Sequence, residues 1–437
     1  MKQRNFMAAM ALMAASLGCM AAGFGGWWEM KVAGVPVVIH LEDNSGKLGG
    51  VLYSPSQTRD SIAVDVAEQR GDSLLLSVKR LRASFAGKRN GRSIDGVFTQ
   101  GGVKFNTVML PASALAKEKA KPQTPHEPLQ YATEEVAIAC GDSVTLAGTL
   151  TMPSNGRPVG ALVFLSGSGA QDRDETVMGH KPFAVIADFL TKAGWATLRC
   201  DDRGVGGSKA PDNHASYAEL AADALAQIDY LRSLPAMKGK PVGLLGHSQG
   251  GDIAFMAAAD SPGQVDFIVA AAAPGIKGSD VVLKQNELIA GHFMNDAYRA
   301  TLREMFALLS SDAPSSEIRS EVNRLAAQLA PPSAVERLVD TSLSPSYREL
   351  LRHDPAPYMK RVKCPVLAIN GDNDMQVTAP ENLAAISAAI PQAVVKQYPG
   401  INHLMQPCDK PTLMYGDIDT TIAPQVMADI LAFLLDL

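Results

Sequence analysis

The segment Gly246-His247-Ser248-Gln249-Gly250-Gly251 directly follows an apolar run at 242–245 and directly precedes a helical pattern at 252–259. So abrupt a turn from strand to helix strains the backbone of the residue at its apex. Only small residues fit two positions to either side, and Gly246 and Gly250 fill those positions. Ser248 is thereby held out at the edge of a sheet. A serine hydroxyl is a poor nucleophile unaided, so the arrangement makes chemical sense only with a base and an orienting acid elsewhere in the chain. Gly371-Asp372-Asn373-Asp374 follows a strand-like run ending at Asn370, and Asn402-His403 follows another at 393–398. The order along the chain is therefore Ser, Asp, His, with Asp372 and Asp374 both in reach of the acid's part.

Continuous apolar runs at 161–165, 242–245, 267–272 and 366–369 read as parallel strands buried on both faces. Between them Tyr217, Leu220, Ala221, Ala224, Ile228 and Leu231 recur at helical spacing and form one apolar stripe. This alternation predicts a mostly parallel sheet covered by helices across residues 131–437. One stretch breaks it. Residues 279–361 hold no strand, only amphipathic patterns such as Leu302, Met305, Phe306 and Leu309, interrupted by Pro331-Pro332 and Pro345. We read it as a helical cap inserted over the carboxyl ends of the strands, where open α/β sheets bind ligands.

Ahead of this region the pattern is different. Short alternating runs at 37–41, 73–78 and 104–109, punctuated by Asn44-Ser45-Gly46, Arg70-Gly71-Asp72 and Asn90-Gly91, predict a small all-β domain over 25–112. Residues 113–130, with Lys117, Glu118, Lys119 and Lys121 and with Pro122, Pro125 and Pro128, read as a semi-extended linker. At the start, Lys2 and Arg4 precede an apolar stretch at 6–20 and the small residues Ala21, Ala22 and Gly23, so residues 1–22 read as a signal peptide. Cys19 follows Ser16-Leu17-Gly18, which sets Leu one position away from the usual lipobox site and makes a lipid anchor the weaker alternative. No later stretch is long enough for an integral membrane span.

Composition excludes two classes of function. Apolar residues are 46% of the 437 and charged residues 19%, the balance of a chain with a substantial core rather than a disordered one. Forty Lys and Arg against 45 Asp and Glu, with no basic run, exclude nucleic acid as a partner. Of the five cysteines, at 19, 140, 200, 364 and 408, no two are spaced for zinc or redox chemistry, and they are expected as free buried thiols.

The motifs together resemble the α/β-hydrolase superfamily, and more closely bacterial exported esterase-like serine hydrolases that join an N-terminal β domain to a capped hydrolase domain. The resemblance is carried by Leu165-Ser166-Gly167-Ser168-Gly169, Gln171-Asp172-Arg173-Asp174, Asp202-Arg203-Gly204-Val205-Gly206, the elbow at Ser248, Asp354-Pro355-Ala356-Pro357-Tyr358, Gly371 to Val377 and Asn402-His403. Ser54-Pro55-Ser56-Gln57 and Gly96 to Gly102 extend it into the first domain. It implies an α/β-hydrolase fold, with Ser248 as nucleophile, His403 as general base and Asp374 as the acid that fixes the imidazole tautomer. Asp374 is preferred to Asp372 because the family's acid stands three residues after the Gly and three before a Val. The implied oxyanion hole is made by the backbone N–H groups of Ser168 and Gln249. Ser166 stands where the family often has His.

The resemblance implies a carboxylesterase acting on a small-molecule ester, and the triad needs no metal or organic cofactor for acyl chemistry. The same motifs suit a serine peptidase, although no acidic anchor for a substrate's amino terminus is identifiable. A third reading makes the chain a cell-envelope binding protein with an idle hydrolase domain, its Trp27-Trp28 pair serving as a sugar platform. Arg173 and Arg203 are read as charge-pairing residues of rim loops, and His247, His292 and His353 as packing, hydrogen-bonding or surface residues.

Overall fold

The computed structural model describes residues 23–437 apart from 45–46, 55–57, 114–120, 142, 212–214 and 292–293. The predicted leader with Cys19, Pro55-Ser56-Gln57, His292 and part of the expected linker lie outside the described residues. Two compact units follow each other, one ending at Lys117 and one beginning at Glu118.

The first unit is one antiparallel sheet of nine strands: β1 (Gly26–Val32), β2 (Val35–Asn44), β3 (Lys47–Ser54), β4 (Thr58–Ala63), β5 (Val66–Arg70), β6 (Ser73–Val78), β7 (Ala83–Asn90), β8 (Ser93–Gln100) and β9 (Val103–Ala112). Their order is β4-β3-β2-β1-β9-β8-β7-β6-β5, so each neighbour is joined by a short turn except where β1 meets β9. Gly71 and Gly91, at φ 59° and 62°, supply the left-handed residue of two hairpins. Alternation directs Trp28, Met30 and Val32 of β1 and Val37, Ile39 and Leu41 of β2 into one apolar core. The same alternation separates the tryptophans. Trp28 is buried with its indole N–H on the Phe24 carbonyl, while Trp27 stacks on His40 on the other face. They form no common platform, because neighbouring residues of a strand point to opposite sides.

The second unit is the α/β part. Its sheet comprises β10 (Tyr131–Ala139), β11 (Thr145–Pro153), β12 (Ala161–Leu165), β13 (Ala196–Cys200), β14 (Val242–His247), β15 (Ile268–Ala271), β16 (Val366–Gly371) and β17 (Val394–Tyr398). The order is β10-β11-β13-β12-β14-β15-β16-β17, antiparallel through β13 and parallel from there on. In β12, Ala161, Val163 and Leu165 face one core layer and Leu162 and Phe164 the other, which is why the run is apolar at every position. Helices α1 (Pro182–Lys192) and α11 (Pro424–Leu435) cover one face. Helices α2 (Tyr217–Ser233), α3 (Gln249–Asp260), α9 (Ala356–Met359) and α10 (Ala379–Ala389) cover the other.

Between β15 and β16 the chain forms α4 (Gly278–Ala290), α5 (Asp296–Leu309), α6 (Ser315–Leu329), α7 (Pro332–Ser342) and α8 (Pro345–Arg352). These helices have an apolar core of their own around Leu302, Met305, Phe306, Leu309, Val322 and Leu325. The stretch leaves the sheet at the carboxyl end of β15. Residues 121–123, expected as linker, are instead fastened to the second unit: Lys121 donates to the carbonyls of Gly416 and Ile418, and Gln123 accepts from the N–H of Ile422. Among the described residues no helix is long and apolar enough to cross a membrane.

Candidate active site

The elbow is as tight as its sequence requires. Ser248 sits at φ 52° and ψ −123° between β14 and α3, a strained conformation for a residue with a Cβ. Its N–H is held by the Ala271 carbonyl of β15 at 2.9 Å. A Cβ on Gly246 would lie 2.2 Å from the Gly250 oxygen, and one on Gly250 would lie 2.1 Å from the Leu165 oxygen. Both clashes are with backbone, so glycine at these places is a packing necessity. The Ser248 hydroxyl makes no hydrogen bond among the described residues.

The loop after β16 carries both candidate acids, and the structure separates them. Asp374 Oδ2 lies 2.8 Å from Nδ1 of His403. Its Oδ1 accepts the N–H groups of Gln376 at 2.7 Å and Val377 at 2.9 Å, so the carboxylate is fixed by its own loop. Asp372 turns away and accepts the N–H of Gly400 at 2.7 Å. The His403 loop is built on Asn402, a fully buried side chain whose Oδ1 accepts the N–H groups of Leu404 and Gln406. With Nδ1 donating to a carboxylate, the Nε2 of His403 carries the lone pair.

The turn after β12 lies against the elbow, for a Cβ on Gly167 would stand 3.3 Å from the Cβ of Ser248. Gly167 spends its N–H on Glu175 Oε1 at 2.7 Å, whereas Ser168 is exposed. Gln249 opens α3, ahead of the first intrahelical bond, at the positive end of the helix dipole. Ser166 donates to Asp202 Oδ1 at 2.7 Å, and Asp202 Oδ2 accepts the N–H of Gln171 at 2.8 Å. Burial pushes the Asp202 carboxyl up to about 6. Beside this turn opens a cavity of about 440 Å³, lined among others by Leu165, Gly167, Asp202, Gln249, Ile253 and Pro345.

Two histidines and a glutamate play a larger part here than their sequence context suggests. Nδ1 of His247 lies 2.8 Å from Glu175 Oε1, and Nε2 lies 2.9 Å from the carbonyl oxygen of His403. Nothing in the sequence marks Glu175: it stands in a polar turn without periodicity. His353 stacks on Tyr217, and its Nε2 is 3.9 Å from Asp252 Oδ1. Burial drives the His353 imidazole down to about 4 and the Asp252 carboxyl well above its usual range, so it disfavours charge on both partners of this 3.9 Å contact.

The charged rim turns are internally paired. Arg173 holds Asp201 through two nitrogens, and Arg203 grips Asp223 in the same manner at 2.7 and 2.9 Å. Asp174 pairs with Lys181 and Arg199. Cys140 is buried and Cys200, Cys364 and Cys408 are half-buried, all four as free thiols. Among the described residues no three His, Cys, Asp or Glu side chains are grouped to hold a metal ion.

Comparison with known proteins gives three relatives of interest. Esterase EstD of Thermotoga maritima is 27% identical over 262 residues, which is 60% of this chain and 58% of that protein. A Mycobacterium tuberculosis protein named as a phosphoribosyl transferase is 33% identical over 142 residues, 31% of this chain and 29% of its own. The chain thus spans well under two thirds of either relative. The solved structure of Est1E from Butyrivibrio proteoclasticus is 16% identical, aligning over 69% of this chain and 98% of its own with a TM-score of 0.41. The sequence profile of the alpha/beta hydrolase fold matches residues 160–409, more than half of the chain and the whole stretch from β12 through the His403 loop. The chain belongs to the α/β-hydrolase fold family.

Proposed function

We infer that the protein is a serine hydrolase that cleaves carboxylic esters by acyl transfer to Ser248 and then to water. The observation that carries this reading is the 2.8 Å contact of His403 Nδ1 with Asp374, a carboxylate already fixed by two backbone N–H groups. It leaves His403 Nε2 as the base for the hydroxyl at the elbow. That EstD is named an esterase agrees with this choice of substrate class.

In the reaction, Ser248 Oγ attacks the ester carbonyl and its proton passes to His403 Nε2. The imidazolium so formed is stabilised by Asp374. The N–H groups of Gln249 and Ser168 receive the oxyanion. Collapse of the intermediate expels the alcohol, which takes the proton from His403, and water repeats the sequence on the acyl-enzyme. The cavity beside the oxyanion turn has room for one side of a small ester. The leader at 1–22 supports export to the periplasm or beyond.

Hydrolysis of p-nitrophenyl esters from acetate to octanoate, by the mature protein and by Ser248→Ala, tests the reading. Activity lost in the variant at an unchanged melting temperature is the expected result. Absence of ester hydrolysis by the unaltered protein overturns it.

A further inference from the structure

His247 and Glu175 form a buried pair behind the nucleophile that the acyl-transfer scheme does not use. Glu175 is 4% exposed, and its backbone sits at φ 51°, in the left-handed region that a non-glycine residue enters only under constraint. One oxygen, Oε1, serves two partners, the Gly167 N–H at 2.7 Å and His247 Nδ1 at 2.8 Å. The other, Oε2, is buried without a partner.

The protonation of His247 follows from its neighbours. A carbonyl oxygen only accepts, so Nε2, at 2.9 Å from the His403 oxygen, carries a hydrogen. Nδ1 faces a carboxylate. Burial alone pulls the His247 imidazole down, but the charge and hydrogen bond of Glu175, with lesser help from the His403 carbonyl and Asp374, raise it above its ordinary value. With an acceptor at each nitrogen, the form that this geometry fits is an imidazolium donating from both. Glu175, Asp374 and the ring of His403, whose centroid is 4.8 Å away, are the titratable groups that face it.

We propose that the Glu175–His247 pair is a positioning device for acyl transfer, locking the oxyanion turn, the nucleophile strand and the general-base loop in register. Gly167 represents the first segment, His247 the second and the carbonyl of His403 the third. The pair acts through these groups and does not touch substrate. It also spends the Gly167 N–H, which leaves that of Ser168 as the donor of the turn. This inference rests on the triad reading above.

Glu175→Gln is the informative substitution. The amide has nearly the same shape but no charge, and a buried imidazolium without its counter-charge sheds a proton. The neutral ring then protonates one nitrogen only. One of the three bonds is therefore lost: that to His403, that to residue 175 or, if the amide turns its NH2 toward Nδ1, that from the Gly167 N–H.

With p-nitrophenyl butyrate, Glu175→Gln is expected to lower kcat by about 10²-fold, the scale of a small misplacement of reacting groups, with KM nearly unchanged. The alkaline limb of its kcat profile moves to lower pH, because His247 now loses its proton sooner, a shift that a merely structural role would not produce. A kcat and pH profile equal to those of the unaltered protein, with Ser248→Ala inactive, overturns the positioning role and leaves the triad standing. Activity in Ser248→Ala overturns both. Should Glu175→Gln fail to fold, ¹⁵N spectra of imidazole-labelled unaltered protein decide: two protonated nitrogens on His247 at pH 6.5, the ordinary midpoint, are expected, and an unprotonated Nδ1 there refutes the pair.

Discussion

Asp374 divides its two oxygens between His403 Nδ1 at 2.8 Å and the N–H groups of Gln376 and Val377. The carboxylate is therefore held by its own loop as well as by the imidazole. An acid so anchored can fix the imidazole without being displaced by it, which is what a base operating through Nε2 requires.

Asp374→Asn keeps the size of the side chain but brings an amide N–H toward His403 or toward the loop. If the N–H faces Nδ1, the ring is forced into the tautomer with Nε2 protonated, and the base is lost. By analogy with other hydrolytic triads kcat falls on the order of 10³–10⁴-fold. Asp372→Asn, which disturbs only the Gly400 contact, changes kcat by less than about tenfold. Steady-state kinetics on one ester separates the two.

The sequence carries the elbow and the succession of Ser248, Asp374 and His403 because glycines at fixed offsets and loops after buried strands leave local marks. The choice between Asp372 and Asp374 is not local. The family's spacing favours Asp374, but the contact itself depends on which carboxylate the loop turns toward His403 and which toward Gly400. Glu175 and His247 are hidden for the same reason: their contact joins residues 72 apart in sequence. The Trp27-Trp28 pair is kept from forming one platform by a rule legible in sequence, the alternation of side chains along a strand.

Gly250→Ala tests the packing argument at the elbow. The new Cβ meets the Leu165 carbonyl at 2.1 Å, and neither β12 nor α3 can yield without moving the site. A loss of about 3 kcal/mol or more in folding stability, read from urea unfolding, is expected, with activity lost even in the fraction that remains folded.

His353 gives a pH dependence of stability. Its folded-state value, about 4, lies below the ordinary 6.5, so the neutral ring favours the native protein. This contribution is fully present above pH 6.5 and is lost as pH falls toward 4, amounting to about 3 kcal/mol at most. His353→Gln should therefore show a shallower loss of urea midpoint between these pH values than the unaltered protein.

Ser166→Ala removes the hydroxyl that Asp202 accepts at 2.7 Å. A cost of about 1–3 kcal/mol in stability is expected, because a partly buried carboxylate loses a donor. Calorimetry at neutral pH reads it, and the backbone donors of the turn leave kcat within about tenfold of its original value.

The central claim is that Ser248 forms the acyl-enzyme. Mixing the protein with a p-nitrophenyl alkylphosphonate, which captures an activated serine irreversibly, and mapping the adduct by peptide mass spectrometry addresses it directly. Release of one equivalent of p-nitrophenol, a single adduct on the peptide bearing Ser248, and parallel loss of ester hydrolysis are expected. Ester hydrolysis that persists without modification of Ser248, or an adduct confined to another residue, would contradict it.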